Sequence, residues 1–161
     1  MLELLTWLET SALGQAVRGA GVWSYAVINL VHIFGVSTLF GSVLMLDLRL
    51  LGLFPRTPLS AVPQAAVPLA AAGFAIAVVS GVCLLATNAT EYSRNPFLLI
   101  KFGAIFVALF NVVLVHRSTA WRLRDSDSLS RPHRRRLALG GAISLAAWTT
   151  AVTSGRMLGY W

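Results

Sequence analysis

Four ionisable side chains lie within or at the ends of long apolar stretches: His32, Lys101, His116 and Arg156. An ionisable group inside a membrane-spanning helix is costly and is therefore a functional candidate. At the helical rise, His32 is about 15 Å below the start of its stretch, whereas Lys101 and Arg156 lie about 8 and 5 Å from the same membrane face. His116 falls about 30 Å along its own stretch, at the opposite face. The first three side chains are therefore expected to gather in one half of the membrane.

Helical spacing extends each of these positions into a stripe of polar or small residues. The three stripes are Tyr25, Asn29 and His32; Lys101, Ala104, Ala108 and Asn111; and Thr149, Thr153, Arg156 and Tyr160. Stripes of this kind normally face the interior of a helix bundle. They predict one cavity that opens to the outer side and is lined by Tyr25, Asn29, His32, Lys101, Thr153 and Arg156.

Simpler interpretations of the same residues stay open. Lys101 and Arg156 are close enough to the surface to snorkel to it, and His32 can be an interhelical histidine bonded to Asn29 or to a hydroxyl. Asp47 is expected at the inner face, paired with Arg49 or with an arginine of the basic loop over residues 117–136, because an unpaired carboxylate there is costly. With no other carboxylate in the later apolar stretches, a proton or sodium pathway built on carboxylates is not expected.

The composition is that of a membrane protein. Of 161 residues, 57% are hydrophobic and 12% are charged, against about 25% charged in an ordinary soluble domain. The net charge of +7 is concentrated in residues 117–136, which hold seven arginines. Positive-inside topology explains this cluster better than nucleic-acid binding does, so no nucleic-acid partner is expected.

The apolar stretches predict an all-α fold, a four-helix transmembrane bundle with an N-terminal interfacial amphipathic helix, in a single integral membrane domain over residues 1–161. The predicted segments are an interfacial helix over 1–19 and spans over about 22–46, 65–87, 96–115 and 137–159. Ser11 can cap a second short turn within the first segment. The arginine-rich loop should face the cytoplasm, which places a multi-pass protein in the cell inner (plasma) membrane with both termini outside.

Several chemistries lack their sequence signature. The single cysteine, Cys83, excludes an internal disulfide and a cysteine-based zinc or iron–sulfur site. The sequence also contains no phosphate-binding glycine loop, nucleophile elbow or His-x-x-x-His zinc spacing. Hydrolase and ATPase activities are therefore unsupported, and whether the protein is an enzyme stays open.

Short motifs along nearly the whole chain give a resemblance. The motifs are His32-Ile33-Phe34-Gly35, Leu46-Asp47-Leu48-Arg49-Leu50-Leu51-Gly52, Ser80-Gly81, Asn95-Pro96-Phe97 with Lys101, Asn111, and Gly155-Arg156 before Gly159-Tyr160. They resemble a family of small bacterial four-span membrane proteins that is known only as a domain of unknown function. No activity is implied by that family.

A more distant resemblance is to membrane domains of the copper-resistance-D type and to HemJ-type protoporphyrinogen oxidases. Those proteins have a histidine on an early span and a lysine near the start of a later one, which His32 and Lys101 match. The resemblance implies haem b, with His32 as the axial ligand and a role in electron transfer or a haem-linked redox step. Lys101 and Arg156 would then neutralise the propionates, and Trp148 would line the cavity.

Depth limits how haem can bind. His32 and His116 differ by about 15 Å in height, so these two histidines cannot both ligate one haem within a chain. Three ways to bind haem remain: His32 is the single protein ligand, a residue other than histidine is the second ligand, or a second copy of the chain supplies it. A cluster of Met, His and Cys for Cu(I) is not visible.

Two other functions stay open beside haem binding. One is the binding or passage of a small anionic or amphiphilic molecule, with Lys101 and Arg156 as the anion site. The other is a structural subunit of a larger membrane complex. The expected partners are the lipid bilayer and either a membrane redox partner or a homo-oligomer.

Overall fold

The computed structural model describes residues 2–124 and 129–160, and every regular element in these ranges is a helix. The helices are α1 (Leu2–Thr10), α2 (Ala12–Gly19), α3 (Gly21–Leu50), α4 (Ala61–Thr87), α5 (Ala89–Tyr92), α6 (Pro96–Arg117), α7 (Thr119–Arg122) and α8 (Arg131–Met157). Helices α3, α4, α6 and α8 are long and apolar enough to cross a membrane. The predicted all-α bundle with four spans is confirmed, and the protein is an integral membrane protein.

Two of the long helices extend further than their apolar stretches. Helix α3 continues through Asp47 and Arg49 and ends only before Gly52, whose φ of +99° suits glycine. Helix α8 begins at Arg131, with Pro132 in its first turn. Because helix formation does not stop where hydropathy falls, several of the basic residues assigned to a loop lie on the first turns of α8.

The α3–α4 pair packs at backbone contact. A Cβ atom on Gly73 would lie 2.5 Å from the Leu39 nitrogen, and one on Gly35 would lie 2.8 Å from the Ala77 nitrogen. Small residues at such positions let two membrane helices approach closely. Helices α6 and α8 form a second antiparallel pair, and contact between α3 and α8 joins the two pairs.

Helices α4 and α6 make no extensive contact with each other in the described part of the chain. They lie on either side of a gap, and the contact between α3 and α8 closes one side of that gap. The centre of the bundle is a core cluster of Leu39, Ala108, Ala147, Trp148 and Ala151. The bundle is therefore closed on one side and open to the surrounding lipid on the other.

The N-terminal segment is two helices rather than the single one predicted over 1–19. Ser11 separates them and caps α2, its hydroxyl accepting a hydrogen bond from the Gly14 N–H. The Glu9 carboxylate accepts hydrogen bonds of 2.7 Å from both the backbone N–H and the hydroxyl of Thr90. Arg18 donates to the carbonyl of Ala86 at the end of α4. The two helices are thus fastened to the α4–α5 corner, and their position at the lipid interface stays a prediction.

Acidification should release this N-terminal segment. Hydrogen bonds from the Thr90 hydroxyl and backbone N–H hold the pKa of Glu9 below its ordinary value of 4.5. A lowered pKa in the docked state means that docking is favoured above pH 4.5 and weakens as the pH falls through the lowered value. The protection factors of residues 2–19 against hydrogen exchange, which are corrected for the intrinsic pH dependence of exchange, should fall in that range. Glu9→Gln should exchange fast at all pH values, and an unchanged exchange rate in this variant would contradict the proposed fastening.

Candidate functional site

His32 is held against α4 by a defined hydrogen bond. Its Nδ1 lies 3.0 Å from the Ser80 hydroxyl oxygen, and that hydroxyl lies 2.6 Å from the Ile76 carbonyl, to which it donates. A serine hydroxyl has one proton to donate, so Nδ1 of His32 must be the donor to Ser80. In the neutral ring, Nε2 then carries the free lone pair.

Lys101 reaches the same level of the bundle from α6. It is half-buried, and its ammonium packs over Gly155, where an added Cβ would lie 3.5 Å from Nζ. The ammonium interacts electrostatically with His32. The structure therefore brings together two of the predicted site residues, one from each helix pair.

Arg156 does not join them. It is exposed, and its guanidinium lies over the Tyr160 ring, 4.6 Å from the centroid, and donates to the Tyr160 hydroxyl. The prediction that this stripe faces the interior is wrong, because Thr149, Thr153, Arg156 and Tyr160 are all exposed. The interior face of α8 carries the smaller residues Gly140, Gly141, Ser144, Ala147, Ala151 and Ser154, which allow closer helix packing than threonine and arginine do.

The other predicted lining residues are also dispersed. Asn29 is exposed, and Tyr25 is 40% exposed with a hydrogen bond to Tyr92. Trp148 is buried in the core cluster, where its ring meets Phe74 edge-on at 6.0 Å, and its indole N–H has no partner among the described residues. Whether any of these residues binds a ligand stays a prediction.

The most constrained polar group is Asp47, at the other end of the bundle. It is 3% exposed, its carboxylate interacts with the Ser144 hydroxyl, and Oδ2 has no hydrogen-bond partner in the described part of the chain. The expected pairing with Arg49 is wrong. Two residues along a helix point to nearly opposite faces, and the Arg49 Nε donates to the Thr57 carbonyl instead, at 2.8 Å.

Close approach of α3 and α8 explains why Asp47 is buried. A Cβ on Gly141 would lie 3.1 Å from the Asp47 carbonyl oxygen, so glycine lets the backbones meet here. At the neighbouring residue of α8, Asn111 donates a 2.9 Å hydrogen bond to the Gly140 carbonyl and ties α6 to α8. The contact of α3 with α8 at Asp47 therefore adjoins the hydrogen bond that joins α8 to α6.

Asp47 also lines a groove of about 250 Å³ between α4 and α6. Its walls are mainly apolar, with Val67, Ala70 and Phe74 on one side and Leu109, Val112 and Val115 on the other. Asp47, Asn111, Ser144 and His116 are polar or ionisable residues among those that line the groove. A concave, mostly apolar site with a few polar residues in its lining is the usual form of a small-molecule site.

Sequence reasoning missed this site although a signal was present. Asp47 follows Gly35, Leu39 and Val43 at intervals of four residues, and it therefore lies on the face of α3 that packs inside the bundle. Among the described residues, no group of three or more His, Cys, Asp or Glu side chains can hold a metal ion.

The chain belongs to the Family of unknown function (DUF6644), whose model matches residues 4–161. This match agrees with the resemblance to a family of unknown function and gives no support to the resemblance to copper-resistance-D and HemJ-type proteins. No curated protein and no solved structure matched the chain.

Removing the Ser144 hydroxyl should destabilise the bundle through Asp47. Ser144→Ala leaves the buried carboxylate without its donor, at a cost of about 1–2 kcal/mol. The measurement is the free energy of unfolding in mixed micelles. In an Asp47→Leu background the same substitution should cost much less, since no carboxylate remains. Equal costs in the two backgrounds would show that the hydroxyl acts independently of Asp47.

Proposed function

We propose that the protein binds a small amphiphile within the membrane, in the groove between α4 and α6. The apolar body of the molecule lies between the two helices, and its single polar group is an ammonium that donates to Asp47. The observation that carries this proposal is the buried Oδ2 atom of Asp47, which has no hydrogen-bond partner among the described residues.

The chemistry of the carboxylate selects the ligand class. In the proposed complex the ammonium of the ligand holds the carboxylate in its ionised form, which only accepts hydrogen bonds, so the partner of Oδ2 is a donor. The nearby donors are engaged, since Ser144 donates to Asp47 itself and Asn111 donates to the Gly140 carbonyl. An ammonium supplies both a donor and an opposite charge, and this attraction is strong where little water is present.

The open side of the bundle gives the ligand its route. Because α4 and α6 do not pack together, the apolar walls of the groove face the lipid. A hydrophobic amine dissolved in the bilayer reaches Asp47 sideways, without crossing the aqueous surface. This refines the amphiphile hypothesis from the sequence: the site moves from Lys101 and Arg156 to Asp47, and the preferred charge changes from negative to positive.

Three probes with one tail and different head groups test the proposal: octylamine, octanol and octanoate. At concentrations well above its dissociation constant, octylamine should raise the unfolding midpoint of the purified protein by about 5 °C. Octanol should raise it less, and octanoate should not raise it, because a second carboxylate is repelled by Asp47.

Asp47→Asn should abolish the preference for the amine, since it removes the charge and keeps the shape. Thr38→Val is the matched control, an isosteric change at an exposed position on the same helix, and should leave the amine response intact. Equal responses to all three probes, or an unchanged amine response in Asp47→Asn, would contradict the proposal. So would tight copurification of a partner helix that fills the groove, which the structural-subunit hypothesis predicts.

Haem b is a second candidate, favoured by the tautomer that Ser80 imposes on His32. With Nδ1 donating to Ser80, Nε2 is the nitrogen suited to an iron ligand. Lys101 lies close enough to balance a propionate, whereas Arg156 is turned to Tyr160. The residues fit a single axial histidine, and haem bound there would supply one-electron redox chemistry.

An optical spectrum tests the haem candidate. Protein produced with ample haem should show a Soret band that His32→Ala removes. His116→Ala should retain the band, because His116 lies at the opposite end of the bundle and hydrogen-bonds its own helix at Val112. A colourless wild-type protein, or equal loss of the band in both variants, would eliminate His32 as an iron ligand.

A further inference from the structure

We infer that a cleft at the arginine-rich end of the bundle binds a phosphate-bearing anion, either a lipid headgroup or free phosphate. The cleft has a volume of about 510 Å³ and lies between the end of α3, the loop that follows it, and the start of α8. Four arginines line it: Arg49, Arg124, Arg134 and Arg135. Its charge is opposite to that of the Asp47 groove, and the inference does not depend on the proposed function.

Backbone carbonyls hold two of the guanidinium groups in place. The Arg49 Nε donates to the Thr57 carbonyl at 2.8 Å, and the Arg134 Nε donates to the Leu129 carbonyl at 3.2 Å. Each of these bonds uses one of the five N–H donors of a guanidinium. Arg49 and Arg134 are therefore positioned by the fold and keep further donors for an anion.

The start of α8 adds to the positive charge. Its first turn contains no acidic residue, and the Ser130 side chain does not cap the helix but lies 2.7 Å from the His133 ring. A helix N-terminus carries a partial positive charge and normally attracts acidic groups, yet here it carries arginines. Among the described residues, no acidic side chain lines the cleft; Asp125 and Asp127 lie outside the described residues.

Positive-inside topology alone requires arginines at this end of the protein but does not require them to share a cleft. Planar guanidinium groups match the oxygen geometry of phosphate, and basic pockets between membrane helices bind anionic headgroups. Leu50, Leu59 and Leu137 also line the cleft. An apolar floor beside clustered arginines suits the phosphate of a lipid particularly well.

Two double variants with equal charge loss test the inference. Arg134→Gln/Arg135→Gln removes two cleft arginines, whereas Arg131→Gln/Arg136→Gln removes two exposed arginines of the same helix that do not line the cleft. Binding is measured by native mass spectrometry and thermal shift with phosphatidylglycerol, with phosphatidylcholine and with inorganic phosphate. The cleft pair should weaken phosphatidylglycerol binding at least tenfold, and the control pair should change it less than twofold.

The probes separate the two sources of phosphate. Stabilisation by phosphatidylglycerol alone identifies a lipid headgroup, and stabilisation by millimolar inorganic phosphate identifies a free anion; either result supports the inference if the cleft pair abolishes it. Arg49 lines the cleft from α3, and Arg49→Gln should cause the same loss of anion binding. This single variant serves as the test if the double variant does not fold. Equal loss in the cleft and control pairs, or no preference over phosphatidylcholine together with no response to phosphate, would overturn it.

Discussion

A carboxylate enclosed among membrane-spanning helices sets the strongest constraint on this protein. Asp47 is almost completely buried, and its carboxylate interacts with the Ser144 hydroxyl on another helix. That interaction requires α3 and α8 to approach closely, which Gly141 permits. One carboxylate oxygen nevertheless remains without a partner in the described residues. An unsatisfied polar group in this environment costs free energy, and this oxygen is the observation on which the proposed ligand site rests.

The way the helices pack determines where the Oδ2 atom of Asp47 lies. Glycines bring α3 and α4 into backbone contact, and Asn111 ties α6 to α8. In the described part of the chain, the extensive contact between the two pairs is that of α3 with α8, and Phe74 of α4 adds a ring contact with Trp148 of α8, whereas α4 and α6 do not pack on each other. The same packing that buries Asp47 places it in the wall of the groove between α4 and α6, and Leu50 lines both this groove and the arginine cleft.

Much of the fold could be predicted because its signals are local. Four apolar stretches of sufficient length specify four helices, and Ser11 and Pro96 mark helix starts by their own chemistry. The faces of the helices were harder to predict. On α8 the threonine and arginine stripe has the expected spacing but faces outward, because the glycine and serine stripe beside it packs more closely. The depth of Asp47 was underestimated because hydropathy falls before α3 ends, although the four-residue spacing from Gly35 to Asp47 already placed the residue on the interior face, and the contact with Gly141 confirms it. Contacts between distant segments, such as His32 with Ser80, cannot be read from spacing along one helix.

Photolabelling tests the central claim most directly. An alkylamine carrying a diazirine on its tail, incorporated into lipid nanodiscs with the protein, should label groove residues of α4 and α6 such as Val67, Ala70 and Val112. Asp47→Asn should remove most of that labelling, and excess octylamine should compete with it. Labelling spread over exposed lipid-facing residues such as Phe106, and unchanged by Asp47→Asn, would contradict the account.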